Sequence, residues 1–402
     1  KYFNDELRGT NGSRLVEVDA RGEVLSENIV RSPIQGDNIE LSIDGKVQSA
    51  LYENIRRVAE DRGFVGGAGI VMDTRTGEVL AMTSYPEFDS QAMSDNRDSN
   101  RVKAMLNDPS LPFLDRAIDG LYAPGSIVKP YLALGVLNEK IIDPLKKINN
   151  TGSISIQNPY DPTKSTVFKD WKALGIVDLR RAIAMSSDVY FYIVGGGYKD
   201  QKGLGIRGID KYLSLFGFGS PIPDSFFSGK TGTVPTPEWK METFNEDWYL
   251  GNTYHTAIGQ YGTLTTPVQI VRAVAALGNG GALIVPTIGK GAKPAVERNI
   301  EIPMEYFDIV REGMRMGVRE GTVTALNVPY VAVAGKTGTA ELGAAKDKVN
   351  SWITGFWPYE NPRYAFAVVL ERGSVKNQVG AAAAMRGFLE WMNKNAPEYF
   401  KP

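Results

Sequence analysis

Three short strings in this sequence carry the side chains that nucleophilic acyl transfer needs. Ser126-Ile127-Val128-Lys129 has the form S-x-x-K, Ser186-Ser187-Asp188 follows about 60 residues on, and Lys336-Thr337-Gly338-Thr339 holds a K-T-G. If the first string is helical, positions i and i+3 share a face, so Ser126 and Lys129 can hydrogen-bond. A hydroxyl nucleophile needs a base. An ordinary lysine is protonated at neutral pH and becomes a base only when burial and a positive neighbour lower its pKa. Ser186 can relay a proton between that lysine and a leaving group, and Asp188 can accept from the lysine or from a substrate amide. Lys336 offers a cation, and Thr337 and Thr339 offer hydroxyls, to a substrate carboxylate, with Gly338 between them. The backbone N–H groups of Ser126 and Thr339 are expected to form an oxyanion hole, aided by positive potential at a helix N-terminus.

Taken singly, each string has an ordinary explanation: a solvated helix face, a helix kink or cap, a turn. In this order, and in matching secondary structure, they form the motif set of penicillin-binding proteins and class A β-lactamases. A second K-T-G-T string at 229–233 competes with the one at Lys336. Residues 217–225 ahead of it are rich in Gly, Pro, Ser and Asp, and Pro235 and Pro237 behind it cannot donate to a strand ladder. The Lys336 copy follows YVAVAG and precedes two further strand candidates, so Lys230 is read as a loop lysine. His255, in GNTYHTAIGQ, is read as packed or solvent-facing rather than catalytic, and Trp171, Trp239 and Trp248 as core or surface-stacking residues. Asp73, Arg75 and Glu78 are read as turn chemistry and solvated charges.

The elements that must position these residues follow from periodicity. Short strands are predicted at 14–18 and 38–43, a helix at 47–61, and a hairpin over 68–85 around Thr74-Arg75-Thr76-Gly77. Residues 86–115 read as loop and short helix. Helices are predicted at 126–139, with Pro130 in the first turn where its missing N–H costs little, at 178–194 and at 266–277. Strands at 330–334, 351–358 and 363–372 and a closing helix at 380–394 complete the chain. Strands early and late with helices between predict a mixed α/β fold whose sheet is built from both chain ends.

Composition bounds the rest. The 402 residues exceed one ordinary core, and a hydrophobic content of 43% with 23% charged residues suits a globular protein. A net charge of −1 gives no reason to expect nucleic acid as a partner. With no cysteine and a single histidine, disulfides, thiolate chemistry and multi-histidine metal sites are excluded. Neither a signal peptide nor a run of about 18 apolar residues is visible, and the polar start reads as trimmed, which leaves room for a membrane anchor upstream.

The stretches YAPGSIVKPYLALGVL (122–137), MSSDVYFY (185–192), GTVPTPEWK (232–240), AIGQYGTLTTPVQIVRAVAALGNGG (257–281) and GKTGTAE (335–341) together resemble the class B penicillin-binding proteins. The S-x-D second motif, the PTPEWK segment and RLVEVDARG (14–22) point to penicillin-binding protein 2, the elongation-specific branch. The resemblance implies a five-stranded antiparallel sheet flanked by helices plus an all-helical subdomain. It implies that residues 1–60 are a truncated remnant of an N-terminal pedestal and 61–402 the transpeptidase domain.

The resemblance further implies a peptidoglycan D,D-transpeptidase. Ser126 would be acylated by the penultimate D-alanine carbonyl of a stem pentapeptide, releasing the terminal D-alanine, and the acyl group would pass to an amine of a neighbouring stem. β-Lactams would acylate Ser126 as suicide analogues. The partners implied are a SEDS-family glycan polymerase and MreC, and the place of action is the periplasm, on one N-terminal membrane anchor. No cofactor is expected. Some relatives carry a zinc site built with Cys and His, which this composition does not allow. Two other readings are a D,D-carboxypeptidase or β-lactamase-type hydrolase, which needs a base for deacylating water, and a non-enzymatic β-lactam sensor.

Overall fold

The structure, a computed structural model, describes residues 2–95, 98–158, 161–223 and 226–401. Positions 96–97, in the stretch read as loop and short helix, and 224–225, ahead of the second K-T-G-T string, lie outside the described residues. One sheet organises the chain. Its five strands are Gly66–Asp73, Val79–Tyr85, Ala334–Leu342, Lys348–Trp357 and Tyr364–Ser374. In space Ala334–Leu342 is one edge, followed by Lys348–Trp357, Tyr364–Ser374, Gly66–Asp73 and Val79–Tyr85 at the other, every pair antiparallel. The two chain ends thus build the sheet, as the strand distribution predicts.

Alternation along the strands divides the core in two. Ile70, Met72, Ala367 and Val369 point to one face, where the buried helix Pro267–Asn279 lies against the sheet. Val71, Val368 and Leu370 point to the other, covered by the helices Gly45–Arg62 and Ala381–Asn395. Both faces are covered, so these strands read as near-continuous apolar runs. Asp44 caps the first of the covering helices through Lys46 N and Val47 N, and Thr266 and Gln269 form a capping box on Pro267–Asn279, each cap being worth about 1 kcal/mol. The first hairpin turns on Asp73, whose Oδ1 accepts from Arg75 N at 2.7 Å and Thr76 N at 3.1 Å, with Gly77 at φ 79°.

Beyond the helix Pro267–Asn279 lies a mainly helical part that includes Lys129–Asn138, Leu179–Ala184, Asp188–Gly196 and Gly205–Leu215. It is not wholly helical: the ribbons Ile148–Asn150 with Gly175–Val177 and Ser153–Asn158 with Asp161–Lys169 belong to it. Three local readings are corrected. Residues 38–43 form no strand, making only an isolated bridge from Leu41 to Gly289, while the strand Ser13–Val18 pairs with Val24–Arg31, which was not predicted. Residues 330–333 approach the sheet irregularly, and the strand begins at Ala334 and runs through the K-T-G itself. The helix predicted over 178–194 is two helices, broken at Met185, Ser186 and Ser187.

Candidate active site

Ser126 sits on a 3-10 turn, Gly125–Val128, that feeds directly into the helix Lys129–Asn138. Side chains three apart eclipse on such a turn, so Ser126 and Lys129 share a face, and Lys129 N donates to Ser126 O. The turn is wedged against the edge strand. Gly125 has φ 57°, and a Cβ there would meet Thr339 O at 2.6 Å; a Cβ on Gly338 would meet Pro124 O at 2.6 Å. Only glycine lets the two backbones approach this closely. Gly125 N also donates to Gly259 O at 2.9 Å, and Trp352 Nε1 to Ala123 O at 3.0 Å. The nucleophile turn is therefore held by the K-T-G strand, its neighbouring strand and the Gly259 turn.

The helix break supplies the second motif. Met185 ends one helix, Ser186 adopts φ 56°, and Ser187 caps the next by accepting from Tyr190 N at 3.1 Å. That sharp reversal presents three acceptors to one amine. The fully buried Lys129 Nζ donates to Ser186 O at 2.8 Å, to Ser186 Oγ at 3.3 Å and to Asp188 Oδ1 at 2.5 Å. The expected direct bond between Ser126 Oγ and Lys129 Nζ is not formed among the described residues. The Ser186 carbonyl and the Asp188 carboxylate are stronger acceptors than a hydroxyl, and they take the amine's protons.

Lys336 occupies the strand Ala334–Leu342, opposite Thr354. Its side chain is 1% exposed, is not part of the cleft lining and donates to Thr337 O at 2.8 Å. Burial, and then the charge of Lys129, push its amine well below the ordinary lysine range, against a smaller opposing effect of Asp188. Thr337 and Thr339, two apart on the strand, line the cleft with Gly338, and Thr337 Oγ1 lies 2.8 Å from Thr322 Oγ1.

Ser126, Ser186, Asp188, Thr337, Gly338 and Thr339 line one open cleft of about 1230 Å³. Three segments far apart in sequence thus meet at one cleft, with Lys129 and Lys336 buried behind them. The second K-T-G-T string does not contribute: Lys230 is exposed and outside this cleft, and Thr231 O accepts from Gln269 Nε2. Sequence reading missed other wall residues. His255 lines the cleft beside Phe168, and burial, then Lys346, lowers its imidazole pKa. Trp171 is exposed in the same cleft, with Lys172 over its ring. The sequence reading of Trp171 as a core or surface-stacking residue did not place it here, because the segment after the strand Asp161–Lys169 has no periodicity that assigns it to a cleft. Lys240 of the PTPEWK segment is buried and joins Asn252, Glu246 and the Tyr249 ring, a local scaffold on the helix Pro237–Phe244.

A serine at a helix start, a buried lysine one turn on, a serine-aspartate pair at a helix break and a K-T-G edge strand are thus gathered at one cleft, the residue types that serine acyl transfer requires. The chain belongs to the penicillin-binding protein transpeptidase family, whose domain model matches residues 67–390. A penicillin-binding protein dimerisation domain model matches residues 1–41. Among curated relatives, the peptidoglycan D,D-transpeptidase MrdA of Haemophilus influenzae is 31% identical, the match covering 100% of this chain and 63% of the relative. MrdA of Escherichia coli is 30% identical over 94% of this chain and 62% of its own length. The chain therefore spans somewhat under two thirds of these relatives. Among solved structures, penicillin-binding protein 2 of Helicobacter pylori in complex with MreC superposes with TM-score 0.82 at 27% identity, covering 98% of this chain and 71% of that one. Penicillin-binding protein 2 of Pseudomonas aeruginosa superposes with TM-score 0.81 at 29% identity, covering 100% of this chain and 83% of that one.

Proposed function

We propose that the protein is a peptidoglycan D,D-transpeptidase that cross-links stem peptides during cell elongation. The observation that carries this reading is the convergence of Ser186 O, Ser186 Oγ and Asp188 Oδ1 on Lys129 Nζ, one turn from Ser126 and across from the Thr337–Thr339 edge. Ser126 Oγ attacks the penultimate D-alanine carbonyl, Lys129 in its uncharged form takes the hydroxyl proton, and Ser186 Oγ passes a proton to the departing D-alanine amine. Ser186 O and Asp188 hold the ammonium that forms. The backbone N–H groups of Ser126 and Thr339 hold the oxyanion, and Thr337 and Thr339 bind the substrate carboxylate with Lys336 as a buried electrostatic support. An amine of a second stem then attacks the Ser126 ester, forming the new amide and returning the proton to Ser126. β-Lactams enter the same first step and stop there.

The division expected from the sequence, 1–60 as pedestal remnant and 61–402 as transpeptidase domain, is proposed with one refinement. The helix Gly45–Arg62 buries Val47, Leu51 and Ile55 under the sheet, so the unit folding with the site starts near Asp44. The solved complex of Helicobacter pylori penicillin-binding protein 2 with MreC supports MreC as a partner, and a solved peptidoglycan synthase complex that couples polymerization to crosslinking supports a glycan polymerase, for which the resemblance implies the SEDS family. Action outside the cytoplasmic membrane follows from the proposed substrate, and the resemblance implies attachment to that membrane by an N-terminal helix. No helix among the described residues is long and apolar enough to cross a membrane. Incubation with a disaccharide pentapeptide and a second stem carrying a free amine tests the reaction. Cross-linked dimer with one D-alanine released per bond supports it; release by hydrolysis alone favours a carboxypeptidase.

A further inference from the structure

The second motif is braced from behind by residues outside all three strings. Asp170 follows the strand Asp161–Lys169 on the cleft wall. Its Oδ2 accepts from Val189 N at 2.9 Å, from the Ser187 hydroxyl at 3.1 Å and from Asn150 Nδ2 at 2.6 Å, and its Oδ1 accepts from Trp171 N at 2.8 Å. Asn150 and Ser187 are both fully buried, and Asn150 Nδ2 also lies 2.8 Å from Ser187 Oγ. Asn150 is in turn fixed by accepting from Gly152 N at 2.8 Å. Trp171 adds a second tie, its Nε1 donating to Met185 O at 3.2 Å.

A serine N-cap ordinarily takes one free N–H of a helix's first turn. Here Asp170 takes another, fixes the rotor of the capping hydroxyl, and places its negative charge where the helix dipole favours it. The residue between the two helices, Ser186, keeps φ 56° although it has a Cβ. A conformation of that kind persists only when its surroundings over-determine it. Ser187 and Val189, on either side of Asp188, are the atoms that Asp170 holds.

We infer that Asp170, seconded by Asn150, is a positioning residue for acyl transfer: it locks the break at 185–187 so that Ser186 O, Ser186 Oγ and Asp188 Oδ1 converge on Lys129. This rests on the acyl-transfer reading of Ser126. The same network joins the wall at 167–171 to the elements that hold Lys129.

The test is acylation of the whole chain by a fluorescent penicillin, with the covalent rate constant separated from the noncovalent dissociation constant. Asp170→Asn keeps the shape but places an amide nitrogen against a donor, since all four partners donate. It is expected to fold with a melting temperature close to wild type and to slow the covalent step about 10- to 100-fold, as a displacement of about 1 Å does. Noncovalent binding should stay within about threefold, the adduct should remain on Ser126, and the pH profile of the covalent step should shift. Asp170→Ala should be slower still; if it does not fold, Asp170→Asn and Ser187→Ala decide. Variants with a lowered melting temperature but a wild-type covalent rate and pH profile would show a structural cap and overturn the inference. A wild-type chain that takes no label on Ser126 fails at the earlier step, removing the acyl-transfer reading and this inference with it.

Discussion

The Ser186 carbonyl oxygen accepts from Lys129 Nζ at 2.8 Å, and it is available because Ser186 leaves the helical path at φ 56°. In a continuous helix that carbonyl would accept from a backbone N–H four residues on. The break frees it, together with the Ser186 hydroxyl and the Asp188 carboxylate, and aims all three at one buried amine. The nucleophile turn approaches the same amine from the other side, since Lys129 is the first residue of the helix that follows Ser126.

Removing the amine should therefore remove the base. Lys129→Ala is expected to slow acylation by a β-lactam about 10²- to 10⁴-fold, the range for a positioned base, while Asp188→Asn, whose amide oxygen still accepts, should cost less. Stopped-flow acylation checks both. A Lys129→Ala rate within a few-fold of wild type would transfer the role of base elsewhere.

The two K-T-G strings should separate cleanly. Lys336→Ala leaves a buried cavity and is expected to lose at least about tenfold in labelling rate, whereas the exposed Lys230→Ala should label like wild type. The opposite ranking in a gel of fluorescent penicillin adducts would exchange the two assignments.

Gly338→Ala tests the contact between the edge strand and the nucleophile turn. Its Cβ would lie 2.6 Å from Pro124 O, so the strand must move off the turn. The expected result is an acylation rate lower by about 10²-fold with noncovalent binding less affected. Unchanged kinetics would mean that this spacing does not set the geometry of Ser126.

Lys336 also sets a pH dependence of stability. Its folded pKa lies below its unfolded value of about 10.4, so between the two the unfolded chain binds more protons than the native one. Stability then rises with pH across that window, by at most about 1.4 kcal/mol per pH unit for one group, and the component vanishes below the depressed value, where both states are protonated. Denaturant unfolding of wild type and Lys336→Met from pH 7 upward should show the difference growing in favour of wild type. A constant difference would mean that Lys336 is not shifted.

What could be read without coordinates was set by short-range physics. The hairpin at Asp73–Gly77, the apolar central helix after Thr266 and the strand contexts of the two K-T-G strings all rest on local propensity and periodicity. The break at Ser186 was visible only as the kink or cap that a Ser-Ser-Asp string allows, because the run from Asp178 to Val194 keeps a helical pattern and only tertiary acceptors favour a left-handed serine there. The bond expected between Ser126 and Lys129 failed for a related reason: spacing places two side chains on one face, but competing acceptors from another segment decide where protons go. Asp170 and Asn150 had no signal at all, since their partners lie in separate elements and each looks like an ordinary turn residue. The ribbon that leads into Asp170 and Trp171 was equally hidden by its polar, exposed strands.

Intact mass spectrometry after exposure to benzylpenicillin, followed by mapping of the modified peptide, tests the central claim most directly. The expected result is one stable adduct per chain, on the peptide containing Ser126, absent in Ser126→Ala. No adduct, an adduct on another residue, or one that hydrolyses as fast as it forms would contradict a transpeptidase built around Ser126.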